Sequence, residues 1–274
     1  PSAIAMLLAF PAASAVLRAA RVILMLREPI QRARSSFGMG FHRGFRYGQL
    51  RYSSFDECIR TETCWLRDGA WFSSMRRASA ESRFTAHGVQ SMTLPKAYLS
   101  ALESYVPLGL YGEQLGMLRR AGFTLELAGG IRRSPAADGR RLLVIVSERF
   151  LANQRTAWRA VWSFLGVNVT FDPLEQHARV NRAYAAPATM ASNASLQQLY
   201  RAYYDSIEST YLHLGERIAE WEAYHARLRT PLWSDGNLWS WCNSSEELQA
   251  RPWDRKPHHP AAAGLDASVN NTVQ

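Results

Sequence analysis

Residues 21–37 read RVILMLREPIQRARSSF, a short apolar run followed at once by a polar segment with a proline near its start. The run Val22–Leu26 is rich in branched apolar residues, which is typical of a buried strand. Pro29 suits the first turn of a helix, because the N–H that proline lacks has no partner there. The stretch therefore predicts a buried strand that leads directly into a helix, which we expect to extend to about Phe41.

Two side chains at this strand–helix junction are suited to binding phosphate. Arg27 falls at the carboxyl end of the strand, the edge at which open α/β sheets bind ligands. A guanidinium can hold a phosphate through two parallel hydrogen bonds. Ser35 adds a hydroxyl from the following helix. The structural alternative is an ion pair between Arg27 and a carboxylate on a neighbouring loop.

The pattern Arg-x-Pro-x-x-Arg-x-x-Ser over residues 27–35 resembles the 3′-phosphate-binding motif of sulfotransferases that use 3′-phosphoadenosine 5′-phosphosulfate (PAPS). Three further blocks follow in the order found in that family: GLYGEQL at 109–115, LLVIVSERF at 142–150 and WSFLGV at 162–167. The resemblance leans toward the Golgi carbohydrate sulfotransferases. It implies that Arg27 and Ser35 bind the 3′-phosphate of PAPS.

The same resemblance implies a reaction and a co-substrate. The expected enzyme moves a sulfonate from PAPS to a hydroxyl or amine of an acceptor, which we expect to be a carbohydrate. Arg182, within the basic segment 177–184, is the candidate for a further cofactor contact, although the Lys-Gly pair of the family is missing there. No residue is assigned as the catalytic base. His42 and His87 titrate in the useful range, but a surface role is the simpler interpretation of each.

The family's loop for the 5′-phosphosulfate, of the Lys-x-Gly-Thr type, is not found in these 274 residues. Lys96 and Lys256 are the only lysines, and neither lies in a glycine-rich turn after an apolar run. We therefore expect an N-terminally truncated part of a longer parent, and we expect these residues alone to transfer sulfonate poorly. Two other classes stay open: a non-catalytic relative that binds a nucleotide or an anionic glycan, and a P-loop kinase-like phosphotransferase.

The alternation of strands and helices predicts an α/β fold, a parallel sheet flanked by helices. The family resemblance implies that this is a partial P-loop-like sulfotransferase fold. Val22–Leu26 and Leu142–Val146 are too apolar for a solvated edge, so we expect them to be parallel in one sheet covered on both faces. Further helices are predicted at 96–120 with a break near Pro107, at 153–165 and at 194–228. The aromatic stripe of the last stretch favours a core face over an interaction helix.

One main domain is expected over residues 1–250, followed by a loose tail at 251–274 that lacks apolar periodicity. The apolar stretch 3–17 is interrupted by Pro11 and is shorter than the roughly 20 residues of a membrane-spanning helix, so it predicts a buried helix. Residues 128–139 predict a surface loop, because their paired glycines do not follow an apolar strand.

Charge and cysteine content narrow the choice of partners. Lys plus Arg (32) exceeds Asp plus Glu (23), which gives a net charge of +9 and favours anionic ligands. The arginines form no stripe or known motif, so a nucleic-acid partner is not expected. The three cysteines match no metal-ligand spacing, so no metal is expected, and their odd number allows at most one internal disulfide.

Four Asn-x-Ser/Thr triplets bear on the compartment; they begin at Asn168, Asn193, Asn243 and Asn270. Such triplets are acceptors for N-glycosylation in secreted proteins. Together with the family resemblance they predict a glycoprotein of the Golgi lumen. Any contact with the membrane would come from an anchor upstream of Pro1.

Overall fold

The computed structural model describes residues 21–47, 52–67, 104–129, 140–168 and 191–229. The strands in these ranges are β1 (Arg21–Leu26), β2 (Phe123–Leu127) and β3 (Arg140–Val146). The helices are α1 (Pro29–Tyr47), α2 (Phe55–Arg67), α3 (Tyr111–Arg120), α4 (Ser147–Ala152), α5 (Gln154–Leu165), α6 (Asn193–Leu214) and α7 (Ala219–His225). A 3₁₀ turn, Pro107–Gly109, precedes α3.

The three strands form one parallel sheet with β3 in the middle. β1 pairs with β3 in register from Arg21 opposite Arg141 to Leu26 opposite Val146, and β2 pairs with the other edge of β3. The predicted parallel arrangement of the two apolar runs is therefore confirmed, and they are immediate neighbours. With helices flanking this sheet, the fold is α/β.

Helices cover both faces of the central strand. Alternate residues of a strand point to opposite faces, and Leu142, Val144 and Val146 accordingly belong to the main core. That core also contains apolar residues of α1, α2, α3, α6 and α7. On the opposite face, Leu143 and Ile145 pack with residues of α5. The unbroken apolar sequence of β3 thus reflects burial on two sides.

The expectation of two covered faces is wrong for β1. This strand lies at one edge of the described sheet, and its burial alternates along its length. Ile23 and Met25 are exposed by 40% and 53%, whereas Leu26 is fully buried. On this face the buried residues that pack with α5 are Leu143 and Ile145 of β3, whereas Ile23 and Met25 beside them on β1 keep contact with solvent.

The helix boundaries differ from those predicted in instructive ways. α1 continues to Tyr47, beyond the expected end near Phe41. The predicted break near Pro107 is the 3₁₀ turn before α3. The stretch 194–228 is two helices, because Gly215 adopts the left-handed conformation, with φ of 78°, that ends α6. Residues 3–17, 96–103, 130–139 and the tail 251–274 lie outside the described residues.

Close packing of α3 against α6 depends on Gly112. A Cβ at this position would lie 2.5 Å from the Ser206 carbonyl oxygen and 2.6 Å from Ser209 Cβ. We expect Gly112→Ala to lower the free energy of unfolding by about 1–3 kcal/mol, because the added methyl group forces the two helices apart. Urea denaturation measures this loss.

Gly116→Ala is the matched control for that prediction. The substitution lies one turn later in α3, and its Cβ would meet the ends of two flexible side chains, His213 Nε2 at 3.1 Å and Arg120 Nη1 at 3.4 Å. Because those side chains can move and alanine favours helix, we expect little change in stability. Equal losses in the two variants would contradict the close-packing account.

Candidate functional site

Two strand–helix junctions lie side by side at the carboxyl edge of the sheet. Leu26 and Val146 are paired in register, so the residues that follow them, Arg27-Glu28 and Ser147-Glu148, begin at the same level of the sheet. This edge is the expected ligand-binding end of a parallel sheet. We call these four residues and the side chains that contact them the junction site.

Arg27 is the exposed cation of the junction site. Among the described residues, its guanidinium forms no hydrogen bond and no ion pair. The alternative interpretation, an ion pair with a neighbouring carboxylate, is therefore not found among these residues. Ser35 is also exposed, in the second turn of α1 after the junction. Both predicted phosphate ligands thus face solvent on the same strand–helix unit.

The first turn of α1 is capped by a buried carboxylate. Glu28 is only 2% exposed, and its two oxygens accept hydrogen bonds from the backbone N–H groups of Ile30 (3.1 Å) and Gln31 (2.6 Å). These are the first donors of the helix, because Pro29 has none. A negative charge at a helix N-terminus is stabilised by the helix dipole. The anion-binding end of α1 is therefore already filled by its own side chain.

Glu148 connects the two junctions to each other and to α7. Its Oε1 accepts the backbone N–H of Glu28 at 2.9 Å. Its Oε2 accepts the indole N–H of Trp221 at 3.2 Å and the Ser147 hydroxyl at 3.3 Å. The next residue, Arg149, forms ion pairs with Glu216 (2.6 Å) and Glu220 (3.2 Å). The peptide that follows Arg27 is thereby held by a side chain from the neighbouring strand end.

Aromatic side chains close the buried side of the junction site. Trp221 is fully buried, and its ring lies 6.0 Å from that of Tyr111. Burial raises the pKa of Tyr111 to about 12, and the nearby carboxylates of Glu28 and Glu148 add to the rise, while the charge of Arg32 and the backbone N–H of Arg27 act against it. The Tyr111 hydroxyl therefore keeps its proton at neutral pH.

A second buried side chain, His225 of α7, contacts the α1 cap. Its Nε2 lies 3.0 Å from Glu28 Oε1, and the imidazole is fully buried. The ring packs against Tyr200 with centroids 4.7 Å apart. Two elements that are distant in sequence thus meet at Glu28.

Sequence reasoning identified Arg27 and Ser35 but gave no role to Glu28, Glu148 or His225. A signal for Glu28 exists in the sequence: an acidic residue directly before a proline that starts a helix is placed to cap it. His225 carries no such signal, since its partner lies far away in the chain.

Other predicted residues are not brought to the junction site by the described structure. Arg182 and His87 lie outside the described residues, as does the side chain of His42. Cys64 is disulfide-bonded and Cys58 is a buried thiol. Within the described ranges, no group of three or more His, Cys, Asp or Glu side chains is arranged to hold a metal ion. Among the same residues, no helix has the length and apolar character needed to cross a membrane.

The arrangement at the sheet edge offers an anion one exposed guanidinium on a rigid backbone and a hydroxyl further along the same helix. The carboxylates of Glu28 and Glu148 are already engaged by N–H and O–H donors. Comparisons with known proteins found no matching family model, no matching curated protein and no matching solved structure. Function must therefore be inferred from the junction site itself.

Proposed function

We propose that the chain is a sulfotransferase domain of the P-loop-like type, whose parent protein moves a sulfonate from PAPS to a hydroxyl or amine of a carbohydrate acceptor. In this proposal Arg27 and Ser35 bind the 3′-phosphate of the nucleotide. One observation carries it: the exposed Arg27 guanidinium has no partner in the described residues and lies at the carboxyl end of a parallel strand.

Rigidity of the backbone around Arg27 supports this assignment. The N–H of the next residue is held by Glu148, and the first turn of α1 is held by Glu28. A side chain on a fixed peptide loses less conformational freedom when it binds a ligand. Because Glu28 occupies the N-terminal donors of α1, the phosphate would be bound by side chains and not by the helix end.

Two of the three sequence blocks beyond residue 100 contribute residues to the junction site, which is further support. GLYGEQL contains Tyr111, which lines the buried side of the junction site. LLVIVSERF spans the central strand and supplies Glu148. WSFLGV closes α5, which ends at Gly166 in the left-handed conformation with φ of 72°. This end of α5 lies at the amino edge of the sheet, where the Phe164 carbonyl accepts a hydrogen bond from Arg21 Nη1 at 2.8 Å, so the first two blocks meet at the junction site and the third packs at the opposite edge.

The proposal includes a compartment and partners. The acceptor would be a carbohydrate, and no nucleic acid is involved. Asn168 and Asn193, the acceptor residues of two triplets, are both exposed. The proposed compartment for this chemistry is the Golgi lumen. Any membrane anchor would lie in a longer parent chain.

Calorimetric titration of the full chain with adenosine 3′,5′-bisphosphate tests the proposal. This nucleotide is the product that remains after PAPS gives up its sulfonate, so it retains the 3′-phosphate that Arg27 and Ser35 would bind. We expect it to bind at least about tenfold more tightly than adenosine 5′-monophosphate, a difference of about 1.4 kcal/mol. Equal affinities would contradict the proposal.

The same experiment separates the alternatives. Tighter binding of ATP than of the bisphosphate would favour the kinase-like phosphotransferase. Binding of heparin with no measurable nucleotide binding would favour a non-catalytic relative that recognises anionic glycans. A shared preference for every polyanion would indicate only the attraction of a chain with net charge +9.

A further inference from the structure

The hydrogen bond between His225 and Glu28 is the longest-range polar contact of the junction site. The two residues are 197 positions apart, and both are almost completely buried. His225 belongs to α7, whereas Glu28 caps α1. Tyr200 of α6 packs on the imidazole at 4.7 Å, and Tyr224 lies 6.2 Å from it. The contact therefore joins helices from opposite ends of the described fold.

The direction of this hydrogen bond follows from the other ring nitrogen. Nδ1 of His225 is buried and has no hydrogen-bond partner among the described residues. A proton on Nδ1 would be a buried donor without an acceptor, which is more costly than an acceptor without a donor. Nε2 is therefore the ring nitrogen whose N–H donates to Glu28. With this bond, the Glu28 carboxylate receives three N–H donors.

We infer that His225 is a positioning residue for the phosphate site, an inference that rests on the proposed function. Its N–H holds the Glu28 carboxylate against the first turn of α1, directly beside the peptide of Arg27. Without this donor, Oε1 of Glu28 keeps only the Ile30 N–H, and the carboxylate can turn toward the adjacent guanidinium. Glu28 would then compete with the phosphate for Arg27. His225 thus keeps an acidic neighbour away from the cation that the ligand needs.

Two variants at one position separate the hydrogen bond from packing. His225→Gln places an amide N–H near the position of Nε2, whereas His225→Phe keeps an aromatic ring against Tyr200 but has no donor. We expect His225→Gln to retain the wild-type preference for adenosine 3′,5′-bisphosphate over the 5′-monophosphate. We expect His225→Phe to reduce that preference at least about fivefold, with unchanged affinity for the monophosphate. An intact preference in folded His225→Phe would overturn the inference.

Amide hydrogen exchange without nucleotide supplies an independent measurement. The N–H groups of Ile30 and Gln31 are bound by Glu28, so their exchange should be faster in His225→Phe than in His225→Gln. Unchanged exchange at both amides would overturn the positioning role. Faster exchange in a protein whose wild type shows no preference for the bisphosphate would overturn the proposed function while supporting the link from His225 to α1.

Glu28→Gln covers the case in which His225→Phe does not fold. The amide has the size of the carboxylate but only one acceptor oxygen for the donors that Glu28 binds. We expect it to speed exchange at Gln31 and to keep at least the wild-type preference for the bisphosphate, because a neutral amide does not compete with the phosphate for Arg27. Wild-type exchange at Gln31, or a lost preference in folded protein, would overturn the inference.

Discussion

Arg27→Ala is expected to weaken binding of adenosine 3′,5′-bisphosphate by at least about tenfold and to leave binding of the 5′-monophosphate unchanged. A hydrogen bond to a charged group contributes about 1.5–3 kcal/mol, and Arg27 would donate such bonds only to the 3′-phosphate. Ser35→Ala should cost less, since the hydroxyl carries no charge and would donate one hydrogen bond, whereas the guanidinium is charged and can donate two. Calorimetry on the wild type and both variants measures these differences.

Arg159→Ala is the matched control for the loss of charge. Arg159 is an exposed arginine of α5, which covers the opposite face of the sheet from α1. Its removal lowers the net charge by the same amount but should leave the nucleotide preference unchanged. A preference that survives Arg27→Ala in folded protein would contradict the proposed phosphate site. An equal loss of preference in both variants would indicate only general electrostatic attraction.

Trp221→Ala is expected to lower the free energy of unfolding by about 3–5 kcal/mol, the usual cost of truncating a buried tryptophan. The Trp221 side chain is fully buried, and its ring lies 6.0 Å from Tyr111 and 6.2 Å from Tyr211. Its N–H is also a donor to Glu148. Since a domain of this size has only about 5–15 kcal/mol of stability, urea denaturation should reveal a large shift.

Two further variants serve as controls for the Trp221→Ala result. Trp221→Phe keeps most of the ring volume but removes the donor to Glu148, so it should cost less than the alanine variant. Leu212→Ala changes a side chain that is 79% exposed on α6 and should change stability by less than about 0.5 kcal/mol. A similar small effect for Trp221→Ala would show that α7 does not hold the sheet edge.

The elements that were predictable are those whose local sequence dictates them. β1 and β3 are continuous apolar runs, and α1 starts at a proline. β2 was missed because FTLEL is only five residues long, and it is held by contacts that no local pattern reveals. One of these is the paired hydrogen bond from Arg141 on β3 to Glu126 at 2.7 and 3.0 Å.

α2 was missed for a related reason. Glu62 in this helix is fully buried, an environment that its sequence does not predict. Its carboxylate accepts the backbone N–H groups of Tyr105 (2.8 Å) and Val106 (2.6 Å) and the hydroxyl of Tyr52 (3.1 Å). These donors come from segments before and after the helix, so only the folded chain brings them together.

At the junction site, the position of Arg27 could be predicted from the end of an apolar run. The roles of Glu28, Glu148 and His225 around it could not. The prediction of one helix over 194–228 gave no indication of the turn that positions His225. The break at Gly215 instead lets the chain turn, so that α7 returns to the N-terminus of α1. A single glycine in the left-handed conformation thus decides whether His225 reaches Glu28.

A crystal structure of the full chain with adenosine 3′,5′-bisphosphate tests the central claim most directly. The proposed site predicts oxygens of the 3′-phosphate within about 2.7–3.2 Å of the Arg27 guanidinium and of Ser35 Oγ. It also predicts that Glu28 remains hydrogen-bonded to His225. A nucleotide whose 3′-phosphate is bound elsewhere, with Arg27 still in contact only with solvent, would contradict the account.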